Sequence, residues 1–135
     1  MSHLDLKRIK ISIDIEPGLV VFGDEYQLKT LFFNIVDNAV KYTREGGDVS
    51  IKAALVSGKV RVAVQDSGIG IVSEDIDRIF NRFYRIDKSR TSAGFGLGLS
   101  IAKSIADAHS GTITVTSTPR QGSAFTVVLP SSHPA

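Results

Sequence analysis

The chain has 135 residues, 42% of them hydrophobic, and a formal net charge of +2. That is enough for one domain with a real core, and too little charge to argue for a nucleic acid or an anionic membrane as partner. It contains no cysteine, which excludes disulfides, thiolate metal sites and a thiol nucleophile; no run of ~18 apolar residues could span a bilayer, and the start carries no apolar signal segment.

In chain order, "IKISIDI" alternates, placing Ile9, Ile11, Ile13 and Ile15 on one face of a half-buried strand. "LVVF" reads as a short second strand after the "EPG" turn. Asp24 is a predicted N-cap with Gln27 in the capping-box position, opening a helix from about Glu25 to Tyr42. Leu28, Leu31, Phe32, Ile35 and Ala39 form its apolar stripe. Val49, Ile51, Ala53 and Leu55 then alternate as a strand, Ser57-Gly58 suits a tight hairpin turn, and Val60, Val62 and Val64 return.

The returning strand ends at Asp66 in "DSGIGI". A short helix capped by Ser73 and packed through Ile76, Ile79, Phe80 and Phe83 is predicted next, followed by a loop over residues 84–96. A helix from about Leu97 to His109 should bury Ile101, Ala102, Ile105 and Ala106 and stop at Gly111 as a C′ glycine. "TITVTS" and "SAFTVVL" are the last strands, joined by a turn around Pro119 to Gly122. Hairpins dominate this order. It predicts an α+β fold, a two-layer α/β sandwich whose mixed, mainly antiparallel sheet carries helices on one face. Residues 1–130 form the domain, and 131–135 a disordered tail.

Four segments carry candidate chemistry. On the first helix Asn34, Asn38 and Lys41 share a narrow arc with Gln27, Thr30 and Asp37, roughly 120° from the apolar stripe. Asn oxygens are hard neutral ligands suited to Mg²⁺ among waters and phosphates, and a lysine one turn on neutralises phosphate; a solvated face would give the same column. In "DSGIGI", Asp66 repels phosphate but suits an exocyclic amine such as adenine N6–H₂, with Gly68 and Gly70 admitting a flat base; a tight strand-to-helix turn also uses these residues. "AGFGLGLSIAK" spaces Gly94, Gly96 and Gly98 directly into a helix start, where amides and dipole favour an anion; the other reading is a flexible loop. In "IFNRFYRIDKSR", Arg78, Arg82 and Arg85 give a basic helix face, for phosphate or for solvent.

In this order, "NIVDNAVKYT", "DSGIGI", "IFNRFYR" and "GFGLGLSIAK" resemble the N, G1, F and G2 boxes of the ATP-binding catalytic domain of sensor histidine kinases, a Bergerat-type fold. The resemblance covers about Ile9 to Leu129. It implies ATP and Mg²⁺ as cofactors, with Asn38 as metal ligand and Asn34 beside the phosphates or metal. It implies Lys41 and Tyr42 at the phosphates or ribose, and Asp66 on the adenine amine with Gly68, Gly70 and Ile71 beside the base. Arg85 would point to phosphate. Gly94, Gly96, Leu97, Gly98 and Leu99 would form the hinge and phosphate edge, and residues 87–93 a lid. The implied catalytic set is Asn34, Asn38, Lys41 and Arg85.

The implied activity is transfer of the γ-phosphoryl group of Mg-ATP to a histidine on a separate dimerisation domain of the same parent kinase, in the cytoplasm, with a response regulator as indirect partner and no direct membrane contact. The parent's membrane anchorage stays open. Phe95 departs from the family, which more often has Thr or Ser there. His3, His109 and His133 are followed by Leu4, Ser110 and Pro134, not by the acidic neighbour of a family phosphoacceptor. A non-catalytic ATP-sensing module and a gyrase-like ATPase are the alternatives.

Overall fold

The computed structural model describes residues 8–71, 73–76, 78–81 and 98–131. Five strands, β1 (Lys10–Ile15), β2 (Asp48–Val56), β3 (Lys59–Asp66), β4 (Thr112–Thr118) and β5 (Gly122–Pro130), form one sheet in the order β1-β2-β3-β5-β4. Only β1 and β2 pair in parallel, with helix α1 (Glu25–Tyr42) between them in sequence. The other three pairings are antiparallel. The mixed, mainly antiparallel sheet is thus as expected. Ser57 and Gly58 both take left-handed φ, 54° and 78°, the requirement of the two-residue turn that matches strand twist.

The short helix α2 (Ser73–Ile76) and the helix α3 (Gly98–Ala108) complete the described elements. Helix α1 packs on β3 and α3 on β4, and the two helices pack on each other. Leu31, Ile35 and Ala39 of α1, Ala102 and Ala106 of α3, and Val49, Val64, Phe125, Val127 and Leu129 of the sheet make the core. Phe125 is fully buried and meets Phe80 edge-on, with ring centroids 6.2 Å apart. Burying such a side chain contributes about 1.5–3 kcal/mol.

Three expectations fail at the margins. "LVVF" is no strand: Val21 makes one bridge, to Ser131, and Val20 and Phe22 stay exposed. Ile13 and Ile15 are 63% and 57% exposed, although they share a face with half-buried Ile11. Ile101 is also exposed, since the small Ala102 and Ala106 occupy the buried face of α3.

The left-handed residue that ends α3 is Ser110 (φ 59°), not Gly111. Ser110 N–H donates to the Asp107 carbonyl at 3.1 Å and Gly111 N–H to that of Ala106 at 2.8 Å, the Schellman pattern. Gly111 is needed for space instead, because a Cβ there would press on the Val128 carbonyl and the Leu129 side chain. Among the described residues no helix is long and apolar enough to cross a membrane.

Candidate functional site

Strand β3 delivers Asp66 to the inward face of the sheet, opposite Val49 on one side and Ser123 on the other. Its side chain is buried, and Oδ1 accepts the Gly68 N–H at 2.9 Å. Burial raises its pKa above the ordinary 3.8, opposed by the amides of Gly68 and Ser123. Asp66 therefore first holds its own turn. A carboxylate accepts about four hydrogen bonds, so capacity remains for an amine.

The turn is fastened on two sides. Ile69 N–H donates to the Tyr42 carbonyl at 3.2 Å, tying it to the end of α1. Arg120 N–H donates to the Ile69 carbonyl at 2.6 Å, and Ile71 N–H to Ser117 Oγ at 2.6 Å, tying it to the β4–β5 turn. The expected glycines matter, but their nearest neighbours are backbone. A Cβ on Gly68 would strike the Tyr42 carbonyl, and one on Gly70 (φ 74°) the Thr118 carbonyl. Ile71 is buried beside them.

Asn34, Asn38, Lys41 and Tyr42 are all half-buried on α1. A Cβ on Gly98 would lie 3.8 Å from Asn34 Oδ1, so the first residue of α3 meets the asparagine face across the helix pair. The N–H groups of Gly98 and Leu99 precede the first i→i−4 bond of α3 and so point out of the helix start. Leu99 is half-buried against the core. Lys41 Nζ lies 3.1 Å from the Asp37 carboxylate, each about 30% exposed, so this lysine is engaged along its own helix. Arg85, Gly94, Gly96, Leu97, Phe95 and the lid expected over 87–93 lie outside the described residues.

Two neutral amide oxygens one turn apart fit a metal that keeps its waters and phosphate oxygens. Among the described residues no group of three or more His, Asp or Glu side chains is set to hold a metal by itself. The donor set thus fits Mg²⁺ carried in by a nucleotide. An apolar groove of about 690 Å³ lies on the other flank of α1, between Val21 and Phe33; its charged residues, Glu25 and Lys29, pair with each other at 3.7 Å, and it lacks the polar groups such chemistry needs.

Sequence reasoning missed Ser117, Gly122 and Ser123 as supports of the turn. Ser117 Oγ donates to the Gly122 carbonyl at 2.9 Å and sits 3.0 Å from Ser123 Oγ. Gly122 (φ 133°) packs on the Asp66 carbonyl. The available signal was a break in pattern, serines at inward positions of strands whose other inward positions are apolar. Gln27 was also misread. Its N–H caps onto Asp24 Oδ1 at 2.9 Å, but the Asp24 N–H that its side chain would take goes to His109 Nε2 at 3.1 Å.

A family model described as histidine kinase-, DNA gyrase B-, and HSP90-like ATPase matches residues 23–133. Sensor-like histidine kinase SenX3 of Mycolicibacterium smegmatis is 44% identical over 128 residues, which is 93% of this chain and 33% of that protein. The chain spans a third or less of the length of the curated relatives it matches. Among solved structures, the mycobacterial sensor histidine kinase MprB superposes with a TM-score of 0.85 at 28% identity, covering 96% of this chain and 88% of that one. Full-length ShkA in complex with AMPPNP superposes with a TM-score of 0.84 at 31% identity, covering 98% of this chain and 28% of that one.

Proposed function

The chain belongs to the histidine kinase-, DNA gyrase B-, and HSP90-like ATPase family, with sensor histidine kinases as relatives, and from that premise we propose that it binds Mg-ATP and presents the γ-phosphoryl group to a histidine of a dimerisation domain in the same parent kinase. The observation that carries this reading is the meeting of Asn34 with Gly98 at the start of α3. It brings metal-suited oxygens and anion-suited amides together, on the helix whose end is tied to the Asp66 turn. ShkA, solved with AMPPNP, supports an adenine nucleotide as ligand.

Asp66 accepts the adenine amine, with Gly68, Gly70 and Ile71 forming the turn beside the base. Asn38 holds Mg²⁺ with Asn34 adjacent, and Lys41 and Tyr42 border the phosphates or ribose. Gly98 and Leu99 offer amides to phosphate oxygens, with Arg85, Gly94, Gly96 and Leu97 completing that edge. Bound Mg²⁺ supplies charge neutralisation along the phosphates. In the transfer, the bond from the γ-phosphorus to the β–γ bridging oxygen breaks, a P–N bond to the imidazole forms, and ADP leaves. The chain contributes positioning and electrostatics rather than a general base.

Titration calorimetry with ATP, ADP and GTP, each with and without Mg²⁺, tests binding. A folded chain with no affinity for adenine nucleotides overturns the reading. Labelled ATP with a dimerisation domain added in trans tests transfer, with an acid-labile phosphohistidine as the expected product. Steady ATP hydrolysis by the chain alone would favour a gyrase-like activity instead.

A further inference from the structure

His109 closes the far end of α3 from Gly98 and Leu99, yet its ring joins the two helices that carry the phosphate end of the site. Nδ1 lies 2.8 Å from the Ile105 carbonyl, and Nε2 accepts the Asp24 backbone N–H at 3.1 Å. A carbonyl can only accept and an amide N–H can only donate, so the ring is fixed as the neutral tautomer with hydrogen on Nδ1. Asp24 is the N-cap of α1. The imidazole thus satisfies one orphan donor at the start of one helix while anchored to a carbonyl of the other. Gly23 leaves the room: a Cβ there would run into the imidazole.

The two helices run antiparallel, touching at His109 with Asp24 and again at Gly98 with Asn34. Asp24 and Asn34 are ten residues apart, and Gly98 and His109 eleven. At ~1.5 Å per residue the two spans match at about 15–16.5 Å. Between these points α3 presents buried Ala102 and Ala106, whose methyl groups give shallow ridges and little resistance to sliding. We propose that His109 is a positioning residue of the nucleotide site, setting the axial offset between α1 and α3 and hence the distance from Asn34 and Asn38 to the opening amides of α3. The inference rests on the nucleotide reading above.

The test compares ATP with adenosine. Adenosine depends on the Asp66 turn, whereas ATP also depends on the helix pair. In calorimetry with Mg²⁺, His109→Phe keeps a ring but neither hydrogen bond, and weakens ATP roughly tenfold, about 1.4 kcal/mol, with adenosine within about twofold. Gly23→Ala, which displaces the ring, does the same, and combining the two adds little. His109→Gln, with a donor and an acceptor, recovers most of the loss. Thermal melts identify any unfolded variant; should His109→Phe not fold, Gly23→Ala and His109→Gln carry the comparison. Equal loss of ATP and adenosine, or unchanged ATP affinity in folded variants, overturns the positioning role while wild-type binding upholds the nucleotide reading. A wild-type chain that binds no ATP overturns both.

Discussion

At the proposed base end of the site, Asp66 closes a strand paired on both sides, and its turn is fastened by backbone bonds to α1 and the β4–β5 turn and by a bond to the Ser117 hydroxyl of β4. At the proposed phosphate end, Asn34 and Asn38 ride on one helix and the facing amides on another, with alanines at the buried face of the second and contacts near the two ends. The base end is held by local hydrogen bonds, while the phosphate end depends on how two rigid rods are set against each other. Changes at the first should therefore act through the turn's own atoms. Changes at the second should act through alignment and charge.

The largest expected effect comes from Gly122→Ala, which puts a side chain at φ 133° and into the Asp66 carbonyl. It should cost about 2–4 kcal/mol of stability, visible in denaturant melts, and abolish adenosine and ATP binding together. Asp66→Asn should weaken both ligands by about 1.5–3 kcal/mol with the fold retained; unchanged affinity in calorimetry would remove adenine from Asp66. The pH dependence has a definite sign. Because burial raises this pKa, ATP affinity should begin to fall, as solutions are acidified, above the pH at which an ordinary aspartate protonates. For folding the sign reverses: the group's contribution to stability is complete below the unfolded value of 3.8 and is lost as pH rises through the raised native value.

At the other end, Asn38→Ala should weaken Mg-ATP by about 1.4 kcal/mol, roughly tenfold, and leave metal-free ATP and adenosine unchanged; equal losses with and without metal would end its role as ligand. The smallest effect is at Asp37. Asp37→Ala removes one partner of Lys41 and should tighten ATP by about 0.3–0.5 kcal/mol. Unaltered affinity would assign Lys41 to that ion pair rather than to phosphate.

Period-two alternation made β2 to β5 legible, because each strand has one wet face and one facing the helices. The N-cap and the apolar stripe made α1 legible to both its ends, Glu25 and Tyr42. What stayed hidden depended on partners distant in sequence. Nothing local tells that Ile13 and Ile15 lie on an edge strand only partly covered by helix, or that "LVVF" finds no sheet position. The asparagine column and the Asp-Gly turn were readable because each is a local departure from good helix or strand chemistry. The bond from Asp24 to His109 links positions 85 apart, and a capping-box pattern at Gln27 masked it.

Strand β1 has consequences for handling the protein. Among the described residues it is an outer strand with one hydrogen-bonding edge unpaired by the sheet, and Ile13 and Ile15 expose apolar surface on its helix-side face. An open edge and greasy side chains together form a natural template for self-association. Excluded salts such as sulfate strengthen that tendency, so the purified chain should precipitate early on salting out. A lysine in place of Ile13 would raise the concentration it tolerates.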